Sequence, residues 1–141
     1  MQLEFAFLSD SAEAVGGKLY VLGGCFDTIW TKQVPVTHHH MALSMRFELT
    51  PSEFGHPHKL EVLIVDEDGH RVAAANGVLN VAPDPRVGEK WRPQRIIFVL
   101  NFGNLKFEKF GDHAIDVLVN DSSVKNIPLR IAPLTESPVK L

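Results

Sequence analysis

Alternation at a period of two residues constrains this chain more than any other feature. Met41, Leu43, Met45, Phe47 and Leu49 alternate with Ala42, Ser44, Arg46 and Glu48. Successive side chains of an extended strand point to opposite faces, so this run predicts a half-buried strand with one face in a core and one in water. The same period recurs near the start, where Leu3, Phe5 and Phe7 share a face, and over residues 59–66, where Leu60, Val62 and Ile64 do so. Helical spacing is almost absent.

Turn chemistry divides the rest. Residues 12–17 read as a small, glycine-rich turn, and residues 18–30 as a second strand interrupted by a bulge or bend at Gly23-Gly24. Pro35 marks the start of the next segment or an edge. Residues 50–57 are a loop. Glu67-Asp68-Gly69 makes a hairpin turn with its return strand over residues 72–81. The longest loop, residues 82–93, carries Pro83, Pro85, Gly88 and Pro93. Residues 95–102 form a near-continuous apolar strand, as expected where both faces are covered. Phe110-Gly111-Asp112 is a further turn, and a last hairpin closes around Asp121-Ser122-Ser123. Eight or nine short strands with turns between them predict an all-β fold, an antiparallel β-sandwich of immunoglobulin-like or jelly-roll-like type. The 141 residues suit one domain over residues 1–132, with a loosely ordered tail over 133–141.

Charge narrows the partners. Fourteen Lys and Arg against seventeen Asp and Glu give a net charge of -3, without the basic excess of a nucleic-acid or acidic-membrane binder. No run approaches the ~20 apolar residues of a bilayer span. Glu4 and Asp10 bracket an apolar run too short for a secretory signal, so a full-length cytoplasmic chain is expected. Cys25 is the one cysteine, which excludes an intrachain disulfide and a cysteine-built zinc site. Its apolar surroundings predict a buried structural thiol.

Phe5-Ala6-Phe7-Leu8-Ser9-Asp10, followed by the run from Gly17-Lys18-Leu19 to Gly24-Cys25-Phe26-Asp27, resembles a family of small uncharacterised bacterial proteins. Met45-Arg46-Phe47-Glu48, His58-Lys59-Leu60-Glu61-Val62, Gly111-Asp112-His113 and Ile127-Pro128-Leu129-Arg130 are similar to it as well. The resemblance implies a bacterial, single-domain, β-rich protein and carries over no catalytic residue.

Seven histidines are the compositional oddity. His38 and His40 share a strand face, and His56 and His58 repeat the spacing, so a three-histidine zinc or iron site is one reading. Solvated histidines at a sheet edge are the other, with His39 in the phase of Met41 and partly buried. The acidic turn Asp66-Glu67-Asp68-Gly69 lacks the spacing and closing glutamate of an EF-hand and reads as a plain turn. No serine-hydrolase elbow, phosphate loop or dinucleotide fingerprint is present. Arg86, Lys90, Arg92 and Arg95 surround Trp91 in and beside the long loop. Tryptophan and arginine are enriched at interface hot spots. The reading is therefore a non-enzymatic module without a cofactor that binds a protein partner or self-associates, with Trp91, Arg92, Arg86 and Arg95 at the contact. The alternative is a metal-binding protein or metal-dependent enzyme using His38, His40, His56 and His58. A third reading is a carbohydrate or small-ligand binder with Trp30 or Trp91 as its stacking surface.

Overall fold

The computed structural model describes residues 1–87 and 92–135. Among the described residues, nine strands follow one another: β1 (Gln2–Val15), β2 (Lys18–Gly24), β3 (Thr28–Thr31), β4 (Val36–Leu49), β5 (His58–Asp66), β6 (Arg71–Leu79), β7 (Gln94–Phe107), β8 (Gly111–Val119) and β9 (Ser122–Pro133). They form two sheets, ordered β2-β1-β4-β7 and β3-β9-β8-β5-β6. Their facing sides enclose one core, so the fold is an all-β sandwich. Pairing is antiparallel except for β3 on β9, which is parallel.

Short turns set the hairpins. Gly16 and Gly17 join β1 to β2 at φ +60° and +75°, both in the left-handed region that the tightest hairpin turn demands. Strand β1 runs on to Val15, so the turn is shorter than the expected residues 12–17. Asn120 and Asp121 join β8 to β9 with φ of 49° and 69°, which places that turn slightly before the expected one. Asparagine and aspartate tolerate this conformation through local hydrogen bonds.

The expected strand over residues 18–30 is two strands in different sheets. Gly23 (φ 63°) and Cys25 (φ 64°) turn the chain out of β2, and it enters the other sheet as β3. Cys25 donates its N–H to Leu8 O at 2.7 Å, and its side chain is exposed. The buried-thiol expectation fails because the residue lies on a crossover and not in a strand.

A bulge corrects the phase of β1. Its register with β4 shifts between Leu3 and Phe5. Directly paired residues share a face. Leu3 pairs with Phe47, Ala6 with Met45 and Leu8 with Leu43, all toward the core, whereas Phe5 pairs with Arg46 and Phe7 with Ser44 on the outer face. There the two Phe rings stack with centroids 5.8 Å apart. Strand β4 is consequently enclosed on both faces at Ala42 and Ser44, each 0% exposed.

The core is built from Met41, Leu43, Met45, Phe47 and Leu49 of β4 against Ile64, Ile115, Leu129 and Ile131 of the other sheet. Phe47→Ala is expected to lower unfolding free energy by about 3–5 kcal/mol, through lost burial and an uncollapsed cavity. Tyr20→Ala, at a residue 55% exposed, should stay within roughly 0.5 kcal/mol. Urea unfolding of the two variants checks both values.

Candidate functional site

The apolar run of β7 was expected to be covered on both faces. In the structure β7 is an edge strand, and among the described residues it pairs only with β4. Ile96, Ile97, Phe98, Val99 and Leu100 are all half-buried, and none is enclosed. Across the sandwich lies β6, the edge of the other sheet. The two edges border an apolar cleft of about 140 Å³, lined by Leu60, Val62, Ala75, Leu79, Phe98 and Leu100. Small residues on β6 hold it open: Ala73, Ala74, Ala75 and Gly77 occupy its middle. Natural edges are usually blunted by charge, proline or bulges. Strand β6 carries a charge only at Arg71 and has no proline; its register with β5 shifts at the Ile64/Val65 end, outside the cleft, and Val78 beside the cleft is 66% exposed.

The segment between β6 and β7 holds the residues expected at a partner contact. Trp91 lies outside the described residues, as does Lys90. Arg86 sits in a short 3-10 turn over Pro85–Val87, with its Nη2 donating to Asp84 Oδ2 at 2.7 Å. That hydrogen bond, a second from the Arg86 backbone N–H, and the guanidinium charge outweigh partial burial and hold the Asp84 carboxyl at a pKa of about 2. Arg95 is on β7 and reaches Glu48 Oε2 at 3.0 Å and Glu4 Oε1 at 3.3 Å. Arg46 lies 3.4 Å from the same Glu4 oxygen, so acidic and basic side chains knit the outer face of β1, β4 and β7. Arg92 is exposed just before β7. The charges of Arg86 and Arg95 are thus matched by carboxylates at one end of the open edge.

The histidines do not converge. His38 and His40 stand near the start of β4, whereas His58 opens β5 beyond that strand's far end. The nine steps from His40 to Leu49 span roughly 30 Å at ~3.3 Å per residue. His58 is buried, with both ring nitrogens engaged: Nε2 donates to Glu53 O at 2.8 Å and Asn120 Nδ2 donates to Nδ1 at 3.3 Å. His56 is exposed in the preceding loop. His40 Nδ1 donates to Asp10 O at 2.7 Å. His39 is exposed and His38 half-buried, the reverse of the expected phase. The cause is a local break in alternation, where Leu105 and Phe102 on β7 both face the core across Asn104, whose φ is 52°. Burial lowers the His38 pKa, and the smaller attraction of Asp10 does not restore it.

Among the described residues, one set of three or more side chains lies close enough to share a metal ion: Asp66, Asp68 and His70. Hydrogen bonds already account for its geometry. Asp66 Oδ1 accepts the backbone N–H groups of Asp68 and His70, each at 2.9 Å. Lys109 Nζ donates to Asp68 Oδ2 at 2.6 Å and lies 3.4 Å from Asp66 Oδ2. Burial pushes the Asp66 carboxyl up, but the two backbone donors and the Lys109 ammonium together bring it below its ordinary value. The acidic turn is a hairpin turn in which one lysine bridges two of the three acids.

A second recess lies on the opposite side of the sandwich, where the chain crosses from β2 to β3. It measures about 480 Å³ and is bordered by Asp10, Gly23, Phe26, Ile29, Trp30 and His38. Trp30 is 60% exposed there.

A family model matches residues 4–132, and its description is a family of unknown function, DUF6941. The chain belongs to this family. No curated protein matches the sequence. Among solved structures, the chain is similar to an alkylpurine DNA glycosylase AlkC of Pseudomonas fluorescens bound to DNA containing an abasic site analog, with 17% identity and a TM-score of 0.43. That alignment covers 75% of this chain and 28% of the glycosylase. It is also similar to a glycosyl hydrolase family 2 member of Bacteroides cellulosilyticus DSM 14838, with 16% identity, a TM-score of 0.36, and coverage of 70% of this chain and 14% of that one. The chain therefore spans less than a third of either structure, and scores this low place no site or activity on it. Among the described residues, no helix is long and apolar enough to cross a membrane.

Arg86→Ala is expected to return the Asp84 carboxyl from about 2 toward the ordinary carboxylate value of ~4. A depressed folded pKa stabilises above the unfolded value and is lost as pH falls through the folded one. The Asp84 contribution is therefore present above pH ~4 and disappears between ~4 and ~2 in the parent protein. Carbon-detected NMR titration of the Asp84 carboxyl reads the change, and an unchanged midpoint would remove the guanidinium as its cause.

Proposed function

We propose that this protein is a non-enzymatic binding module that takes an extended polypeptide segment as an added strand along β7. One observation carries the reading: five consecutive apolar residues, Ile96 to Leu100, lie half-buried on an edge strand that, among the described residues, has no neighbour on its outer side. A run of this kind suits a strand covered on both faces. Strand addition would supply the missing backbone partners, and side chains of the added strand would enter the apolar cleft beside β6. The ion pairs of Arg95 and Arg46 with Glu4 and Glu48 would frame one end of such a contact.

The hairpin of β1 and β2 supports a polypeptide partner, including a second copy of the chain. Beyond Ser9, among the described residues, it pairs only with itself, and Val15, Tyr20 and Leu22 are 51%, 55% and 73% exposed. An immunoglobulin-like topology fits the same picture. The order β9-β8-β5-β6 opposite β1-β4-β7, with β3 parallel to β9, supports it, with β7 at the rim where a further strand would sit. A cytoplasmic location completes the reading and is supported by the exposed, unpaired Cys25. A bacterial source rests on the sequence resemblance.

Paired substitution of Ile97 and Val99 by Lys is expected to weaken association at least roughly tenfold while shifting the melting temperature by only a few degrees, since both side chains are half-exposed. Light scattering over a concentration series reads self-association. Hydrogen exchange at the β7 amides, with and without a candidate partner, reads strand addition. Equal association by the variant and the parent protein would remove β7 from the interface.

A further inference from the structure

We propose that the recess at the β2–β3 crossover is a second binding site, independent of the β7 edge, and that it takes an organic cation with a guanidinium or alkylammonium head. Three features of the wall argue for this chemistry. The first is an uncompensated carboxylate. Asp10 forms no ion pair among the described residues, and its backbone carbonyl is occupied by His40. The fold makes room for this carboxylate in a specific way. A Cβ on Gly23 would come within 2.2 Å of Asp10 Oδ2 and 2.8 Å of Asp10 Cγ, and Gly23 has a φ of +63°. The absence of a side chain at Gly23 therefore lets the acid pack over the crossover at the mouth of the recess.

The second feature is aromatic. Trp30 on β3 and Phe26 on the crossover border the same space, and Trp30 is 60% exposed although it lies on a strand. The face of an aromatic ring carries negative electrostatic potential and attracts guanidinium and ammonium groups, most strongly at tryptophan. The third is the absence of opposing charge in the wall. His38 is the one basic side chain that borders the recess among the described residues, and burial disfavours its protonated form. Its Nε2 is buried without a hydrogen-bond partner. No lysine or arginine among the described residues borders the recess to cancel the Asp10 charge. Together these give a site with one negative charge, two aromatic surfaces and a volume of about 480 Å³, within the ~300–1,000 Å³ range of small-molecule sites. An anion would be repelled by the Asp10 carboxylate, and a neutral sugar would gain hydroxyl hydrogen bonds from it but no charge pairing and no cation–π attraction.

Two sources present such a head: an arginine or lysine side chain of a polypeptide, and a free amine or guanidine. Replacing Trp91 by Phe leaves Trp30 as the sole fluorophore of the two tryptophans. Titration of that protein with N-acetyl-arginine amide is expected to give a saturable change in Trp30 emission. N-acetyl-citrulline amide, its uncharged near-isostere, and glucose should give none. Asp10→Asn should weaken arginine-amide binding by roughly tenfold, a loss of about one power of ten in affinity. In the Asp10-intact protein, binding should weaken as salt rises from about 50 to 500 mM, because an exposed ion pair is screened. This second readout holds even if the Asn variant folds poorly. Equal responses to arginine and citrulline amides, salt-independent binding, or a response to glucose alone would overturn the proposal. Agmatine compared with an acetylated Gly-Arg-Gly amide then separates the sources, the tighter ligand identifying a free cation or a polypeptide side chain. Absence of any response to either cation overturns the site altogether. Because Ile97 and Val99 lie on the opposite side of the sandwich, the Lys variants at those positions should bind arginine amide as the parent does, which separates failure of this site from failure of the β7 reading.

Discussion

Burial of β4 on both faces is the constraint from which the rest of the sandwich follows. Its inner side chains, Met41, Leu43, Met45, Phe47 and Leu49, are all 0% exposed and meet the opposite sheet. Its outer side is closed at Ala42 and Ser44 because the bulge in β1 brings Phe5 and Phe7 over it. The small residues at these two positions admit the neighbouring rings. A backbone enclosed this way must satisfy its hydrogen bonds through adjacent strands, and β1 and β7 do so over most of its length. The register of both neighbours is thereby fixed. A one-residue slip would turn the apolar set of β4 outward.

Such a centre leaves its problems at the rims. The first sheet ends at β7 and the second at β6 on one side of the sandwich, and at β2 and β3 on the other. The two sides are finished differently. On the β2–β3 side the chain itself crosses between the sheets, through Gly23 and Cys25, and the crossover borders a recess with Asp10, Trp30 and His38. On the β6–β7 side the chain passes between the sheets through the longer connection from Leu79 to Gln94, and the cleft between the two edge strands is apolar. One side thus offers charge and aromatic surface, and the other offers backbone edges with apolar side chains. Polypeptide strands and small cations are the partners proposed for these two surfaces.

Local electrostatics are largely self-contained. Lys109 bridges Asp66 and Asp68 of the acidic turn, Asp84 holds Arg86, and Arg46 and Arg95 share Glu4. Exposed pairs of this kind each add little to stability. Their structural consequence is to fix side chains at the hairpin turn and at the entrance to β7. Of the arginines expected at the contact, Arg86 and Arg95 are matched by acids nearby and distant in the chain.

The sequence by itself determined the fold class, the main strands and the position of most turns, because alternation and turn chemistry are local properties. Met41 to Leu49 reads as a strand from its own spacing, and Glu67-Asp68-Gly69 as a turn from its own residues. Tertiary structure decided what depends on which strand lies beside which. The apolar run of β7 reads the same whether a strand is central or sits uncovered at an edge, and only sheet order distinguishes them. Phase reversals at the β1 bulge and at Asn104 exchanged the expected exposure of Phe5, Phe7, His38 and His39, since one extra or left-handed residue inverts every side chain beyond it. Spacing also could not show that His38 and His40 stand a strand's length from His58, nor that Asp10 packs at Gly23 and borders the same recess as Trp30. Those relations join residues far apart in the chain, and pairing and packing create them.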